Sequence, residues 1–260
     1  MLPASTTVTG MVLSAMPVGD FDKRLVILTK EIGKISAFVK GARRPNSAFL
    51  ACSQPFSFGE FTLYAGRSAY NIQAVEITNY FAELRDDFES LFYGMYFCEF
   101  ADYLTKENND DKEILKLLYQ SLKSLAKKVI PNQLIKSIFE LKIISLNGET
   151  PQVFECVKCG LQPEGLHSNE TISRSYLGYY FSAQSGGILC GACKGQDKTA
   201  FMVNTSTLYA MQYIISKEIE KLFTFKVTDE IQKELNRCIK LHIDRYIDHE
   251  FKSLEMLKSL

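Results

Sequence analysis

The sequence predicts an α+β chain of more than one domain: a small β-barrel over residues 1–80, then an α-helical domain over 81–260 that carries an inserted four-cysteine metal module at about 150–200. Three observations support this. Residues 5–80 set β-branched and aromatic side chains in short alternating runs broken by glycine, proline and asparagine. Beyond residue 82 the apolar spacing becomes helical. Two C-x-x-C couplets, Cys156-Val157-Lys158-Cys159 and Cys190-Gly191-Ala192-Cys193, then interrupt the helical pattern.

In order, strands are expected near 6–16, 23–30, 34–40, 56–65 and 69–78. The second and third are joined by Lys30-Glu31-Ile32-Gly33, a hairpin with glycine where a positive φ is needed. Phe56-Ser57-Phe58-Gly59-Glu60-Phe61-Thr62-Leu63-Tyr64 alternates at period two and groups its three phenylalanines, with Leu63 out of phase and a bend or bulge expected at Phe58-Gly59. Five short strands in about 75 residues suit a Greek-key barrel of the OB type, a fold whose face can bind single nucleic-acid strands.

The first helix is expected to bury Phe88, Leu91, Phe92, Met95 and Cys98, and the second Ile114, Leu117, Leu118, Leu122 and Leu125, with a polar loop at 106–111 between them. A third, from about Asn132 to Leu146, turns Leu134, Ile135, Ile138, Phe139 and Leu141 inward and stops at Asn147-Gly148. Residues 150–200 show little periodicity and seven glycines. Helical pattern resumes at roughly 205–222, and again at about 229–258 after a cap at Thr228 or Asp229.

The couplets supply four sulfur ligands, Cys156, Cys159, Cys190 and Cys193, at the spacing of a structural zinc site. Disulfides, a redox dithiol or buried apolar thiols are the competing readings. Seven cysteines in 260 residues are too few for a disulfide scaffold, and the number is odd. A segment with so little periodicity and so many glycines could not bury enough apolar surface without its ion, and one structural Zn2+ is expected. Cys52, Cys98 and Cys238, isolated among apolar neighbours, read as small buried hydrophobes.

Catalytic patterns are missing from the sequence. A closed sulfur tetrahedron leaves no position for an activated water. There is no H-E-x-x-H, and His249-Glu250 is the only His-Glu step. The sole Gly-Lys step, Gly33-Lys34, continues into Ile35, and Leu28 stands where a phosphate loop needs its first glycine. His167, His242 and His249 are the only histidines, and the last two, seven apart, suit one helix face. A non-enzyme is therefore expected. A zinc-containing protein-interaction adaptor with weak DNA binding and a zinc-dependent nucleic-acid enzyme stay open as alternatives.

Formal charge is zero overall but unevenly spread. Residues 1–80 carry eight Lys/Arg against five Asp/Glu, whereas 81–150 carry nine against twelve. Local charge, not the total, governs phosphate binding. No apolar run approaches a membrane span, and Met1-Leu2-Pro3-Ala4-Ser5 has no signal character, so a cytoplasmic location is expected.

Ordered stretches along nearly the whole chain resemble the bacterial DNA repair protein RecO family. They are Val18-Gly19-Asp20-Phe21-Asp22-Lys23, Leu28-Thr29-Lys30-Glu31-Ile32-Gly33-Lys34, Val39-Lys40-Gly41-Ala42-Arg43-Arg44 and Gln54-Pro55-Phe56. Further on come Phe139-Glu140-Leu141, Leu146-Asn147-Gly148, Cys156-Val157-Lys158-Cys159-Gly160, Phe181-Ser182, Gly186-Gly187-Ile188-Leu189-Cys190 and Lys252-Ser253-Leu254-Glu255. The resemblance implies an OB-fold domain, a helical domain and a zinc finger. It also implies a mediator of DNA repair and recombination that anneals complementary strands and, with RecR, helps load RecA onto single-stranded DNA coated by single-stranded DNA-binding protein. Both single- and double-stranded DNA, and a nucleoid-associated place in the cytoplasm, follow from it.

On this reading Lys23, Arg24, Lys34, Lys40, Arg43, Arg44 and Arg67 are the candidate phosphate contacts, with Lys123, Lys127 and Lys128 in reserve. Arg43-Arg44, after Gly41 and before Pro45, is the most pointed pair. Phe38, Tyr64 and Tyr70 are candidates to stack on bases, although barrel core is the commoner role for such residues.

Overall fold

The computed structural model describes residues 5–66, 69–163 and 178–258. Five strands close into a barrel: β1 (Thr6–Val18), β2 (Asp22–Thr29), β3 (Gly33–Val39), β4 (Phe58–Ala65) and β5 (Tyr70–Asn79). Their order is β1-β2-β3-β5-β4, with β3 and β5 parallel and β1 pairing with both β2 and β4. This is the expected OB-type barrel. Closure leaves no open sheet edge, and the 13-residue β1 makes it possible by pairing Thr6–Met11 with β4 and Gly10–Val18 with β2.

Alternation along the strands sends Val8, Val12, Leu25, Ile27, Ile35, Ala37, Val39, Phe61, Leu63 and Ile72 inward. The three phenylalanines of 56–64 do not stay together. Phe61 and Leu63 face the interior, whereas Phe58 packs its ring on Tyr119 at 4.7 Å. Gly59, Phe61 and Leu63 share the inward phase and Phe58 falls outside it, while the β4–β5 register shifts twice, between Phe58 and Gly59 and between Thr62 and Leu63, each time with the extra residue in β5. A Cβ at Gly59 would sit 2.1 Å from the Glu76 carbonyl oxygen, so only glycine allows that approach. The β2–β3 turn likewise ends at Gly33 with φ +69°.

The chain divides into two compact units, residues 1–132 with 251–260, and residues 133–250. Besides the barrel, the first contains α1 (Phe88–Leu104) and α2 (Lys112–Lys127). The apolar stripe of α2 is buried as expected. That of α1 is rotated: Phe88 is 73% and Met95 40% exposed, while Ser90, Tyr93, Gly94, Phe97 and Ala101 are buried. Gly94 explains the shift, since its missing side chain makes room for Phe56 and Leu122, a packing cue invisible to hydropathy.

The second unit runs through α3 (Asn132–Leu146), a three-stranded sheet of β6 (Tyr179–Ser182), β7 (Gly187–Cys190) and β8 (Phe201–Val203), then α4 (Thr205–Ser216) and α5 (Asp229–Ile243). The five inward positions expected of α3 are all buried. Asn204 caps α4 by accepting from the Ser206 N–H, and Thr228, not Asp229, caps α5 by accepting from the Ile231 N–H. The helix expected over 205–222 stops at Ser216 and gives way to a 3-10 turn at Ile219–Thr224.

The helix expected over 229–258 is two helices, α5 and α6 (Lys252–Lys258). Phe251 docks among Tyr96, Phe100 and Tyr103 of the first unit, and the Glu99 carboxylate accepts from the Lys252 and Ser253 N–H groups. That anchorage gives residues 251–258 a start of their own. Among the described residues no helix is long and apolar enough to cross a membrane.

Candidate metal centre and nucleic-acid interface

Backbone hydrogen bonds shape the two cysteine turns. The Gly160 N–H donates to the Cys156 carbonyl (2.9 Å), and the Cys193 N–H to that of Cys190 (2.9 Å). The first turn is tied to β7 by the Val157 N–H on the Ile188 carbonyl (2.9 Å), and β7 delivers Cys190. The Cys190 N–H also points at the Cys156 sulfur (3.4 Å). As a result the four Sγ atoms of Cys156, Cys159, Cys190 and Cys193 all lie within 4.8 Å of one another.

This set fits a zinc ion. With Zn–S near 2.3 Å, a sulfur tetrahedron has edges of about 3.8 Å, and Cys159 Sγ lies 3.7 Å from Cys190 Sγ. A disulfide needs about 2.05 Å, and all four thiols are free. Cys156 and Cys190 are buried, Cys193 is half-buried and Cys159 is exposed. Burial raises the Cys156 thiol, but N–H groups of Cys190, Cys159 and Lys158 outweigh it and bring it down to about 7. Its neighbour Cys193, hydrogen-bonded to Cys190 and desolvated, is pushed up to about 12. Four sulfurs so close cannot all carry charge unless a cation sits among them. Cys52, Cys98 and Cys238 are buried, as expected of small hydrophobes. His167 lies outside the described residues.

On the barrel, the seven expected cations separate into distinct groups. Arg24, Lys40, Arg43 and Arg44 are exposed, and among the described residues no ion pair joins them to a carboxylate. Arg24 points outward because Leu25 and Ile27 point inward, and its Nε donates to Ser36 Oγ (2.8 Å). Lys23 has the inward parity, and its Nζ donates to the carbonyl and Oγ of Ser53 (2.9 and 3.1 Å). Desolvation there pulls its ammonium below the usual lysine range. Lys34 pairs with Asp102 of α1 (2.8 Å). Both are thus engaged inside the first unit. Arg67 lies outside the described residues. Of the reserve lysines, Lys123 and Lys127 are exposed on α2, and Lys128 pairs with Asp87 (3.1 Å).

Two of the three aromatics depart from the core role. Tyr64 is 47% exposed, and Phe38, across from Arg24 in the β2–β3 register and between inward Ala37 and Val39, is half-buried on the outer wall. Tyr70 packs against the core edge, and burial together with Glu107 raises its hydroxyl. The residue not foreseen is Phe21. It stands at the β1–β2 turn, 50% exposed, with the Arg44 guanidinium 5.4 Å from its ring centre. The signal was an aromatic between Asp20 and Asp22, outside any strand alternation.

Residues 1–81 match the family described as Recombination protein O N terminal, and residues 85–255 the one described as Recombination protein O C terminal. The chain is 35% identical over 252 residues to the DNA repair protein RecO of Alkaliphilus metalliredigens, covering 96% of this chain and 98% of that one. It is 31% identical to the protein of the same name from Symbiobacterium thermophilum (97% and 96% covered) and 29% identical to that of Acetivibrio thermocellus (97% and 96%). With the barrel, the helical part and the cysteine cluster all in place, the chain belongs to the RecO family of DNA repair proteins.

Proposed function

We propose that this chain is a recombination mediator. It binds single- and double-stranded DNA without sequence preference and anneals complementary single strands. With RecR it promotes RecA loading on DNA coated by single-stranded DNA-binding protein. The observation that supports this best is the cluster of Arg24, Lys40, Arg43 and Arg44, exposed at one end of a closed OB-type barrel and joined to no carboxylate among the described residues. Cations left open in this way neutralise phosphates and release counterions, which supplies affinity but no base reading. Pairing is downhill, so neither nucleotide hydrolysis nor any covalent step is required.

In this scheme residues 1–80 are the DNA-binding domain, and 81–260 form the helical domain with a zinc finger inserted at about 150–200. Cys156, Cys159, Cys190 and Cys193 hold one structural Zn2+, which neutralises the thiolates and orders the module. Lys23 and Lys34, engaged with Ser53 and Asp102, rank below the four open cations as phosphate contacts. The test is annealing of complementary oligonucleotides, with and without single-stranded DNA-binding protein and RecR. Acceleration that is indifferent to ATP supports the reading. Strict ATP dependence, or chemical conversion of the DNA that copurifies with the protein, refutes it.

A further inference from the structure

The first hairpin presents a phenylalanine to solvent and at the same time holds it in place. Phe21 sits between the end of β1 at Val18 and the start of β2 at Asp22, with half its surface open. Three hydrogen bonds latch this turn to the loop after β3: the Arg43 N–H to the Phe21 carbonyl (2.8 Å), Arg43 Nη1 to the Gly19 carbonyl (3.3 Å) and the Gly41 N–H to Asp22 Oδ1 (2.8 Å). Ala42, in the middle of that loop, is fully buried in the barrel core and anchors it. The backbone that carries the ring is thus fixed while the ring itself stays half open.

The surroundings suit a polyanion with flat bases. Arg44 lies over the ring, and Arg43 and Lys40 are exposed on the same loop; against these three cations the turn carries two acids, Asp20 and Asp22, the latter turned to the Gly41 N–H through Oδ1. Aromatic rings stack on unpaired bases of any sequence, whereas the faces of paired bases are covered by their neighbours.

We propose that Phe21 is a base-stacking platform for an unpaired nucleotide of single-stranded DNA, with Arg43 and Arg44 on the phosphates that flank it. The proposal rests on the barrel being the DNA surface and adds what phosphate contacts lack, a preference for unpaired strands. Annealing then removes the base from Phe21, so the finished duplex is held less tightly than its strands and is released.

The test compares full-length wild type with Phe21→Ala, Phe21→Leu and the Arg43→Ala/Arg44→Ala pair. The probes are a strand with one fluorescent adenine analogue, an abasic strand of equal length, and the duplex. Wild type should change the analogue's fluorescence. Both Phe21 variants should lose that change and bind the base-bearing strand about tenfold more weakly, a loss within the range of base–aromatic stacking. Their affinity for duplex and abasic strand, and their salt slope, should stay at the wild-type value. Phe21→Ala binding the base-bearing strand like wild type overturns the proposal, as does an equal loss on all three probes, which assigns the ring to loop support. If the arginine pair also leaves every affinity and slope unchanged, the barrel itself is not the DNA surface, and the two failures are told apart.

Discussion

The barrel buries ten strand side chains in one closed ring, from Val8 and Val12 to Leu63 and Ile72, whereas the cysteine module centres on Cys156, Leu189 and Cys190 with half-buried neighbours such as Leu161 and Tyr180. In the first region order is shared among many apolar contacts, each replaceable in part. In the second it is concentrated in four sulfurs brought within 4.8 Å. Damage to the two should therefore differ in kind: graded and cooperative in the barrel, abrupt and local in the module.

The most severe test is loss of a proposed metal ligand. Cys156→Ser, or chelation of the wild type, should abolish bound zinc and open residues 150–163 and 178–203 to hydrogen exchange and protease, since apparent binding energies of structural zinc sites reach about 10 kcal/mol or more. Barrel amides should keep their protection. Equal loss in the barrel breaks the contrast.

Next in size, Phe61→Ala empties a fully buried position and should lower barrel stability by about 3–5 kcal/mol in denaturant melts, with zinc content unchanged. Within the barrel, Arg43→Ala with Arg44→Ala removes only the Arg43 side-chain bond to the Gly19 carbonyl and the Arg44 contact with Phe21, so the melt should shift far less than for Phe61→Ala. A salt titration of single-strand affinity should then show a slope smaller by roughly 1.4, about 0.7 per contact. Lys34→Ala should do the reverse, weakening the barrel–α1 link through Asp102 with little change of slope.

The smallest effect concerns pH in the second unit. His242 is buried, its Nε2 lies 2.7 Å from the Glu149 carbonyl and so carries the proton, and its Nδ1 has no partner among the described residues. Burial, with Arg245 nearby, pulls its pKa below the ordinary value. The unfolded chain therefore takes up a proton first. Stability should be complete above about pH 6.5, fall as pH drops toward the folded pKa, and level off beneath it. His242→Gln should flatten that fall in thermal melts, and identical pH profiles for the two proteins would remove His242 as its source.

Elements with a single buried face were the most legible. Alternation placed all five strands, and the stripes of α2 and α3 are buried where spacing put them. The thiols were legible too, because two C-x-x-C turns constrain their sulfurs locally. The misses share a cause. The rotation of α1 depends on a gap at Gly94 filled from elsewhere in the chain, and the break after Ile243 on an aromatic cluster around Phe251. Neither partner is a sequence neighbour.

The sequence by itself determined the barrel, the helices that follow, the four-sulfur cluster and the excess of cations before residue 45, because periodicity, couplet spacing and charge are properties of neighbouring residues. Only the tertiary structure decided which cations remain open. Lys23 and Lys34 look like Arg43 and Arg44 in one dimension. Folding brings Ser53 to the first and Asp102 to the second, while it latches the arginine loop against the turn that presents Phe21. Long-range contacts consume some charges and leave others in water, and no local pattern encodes that choice.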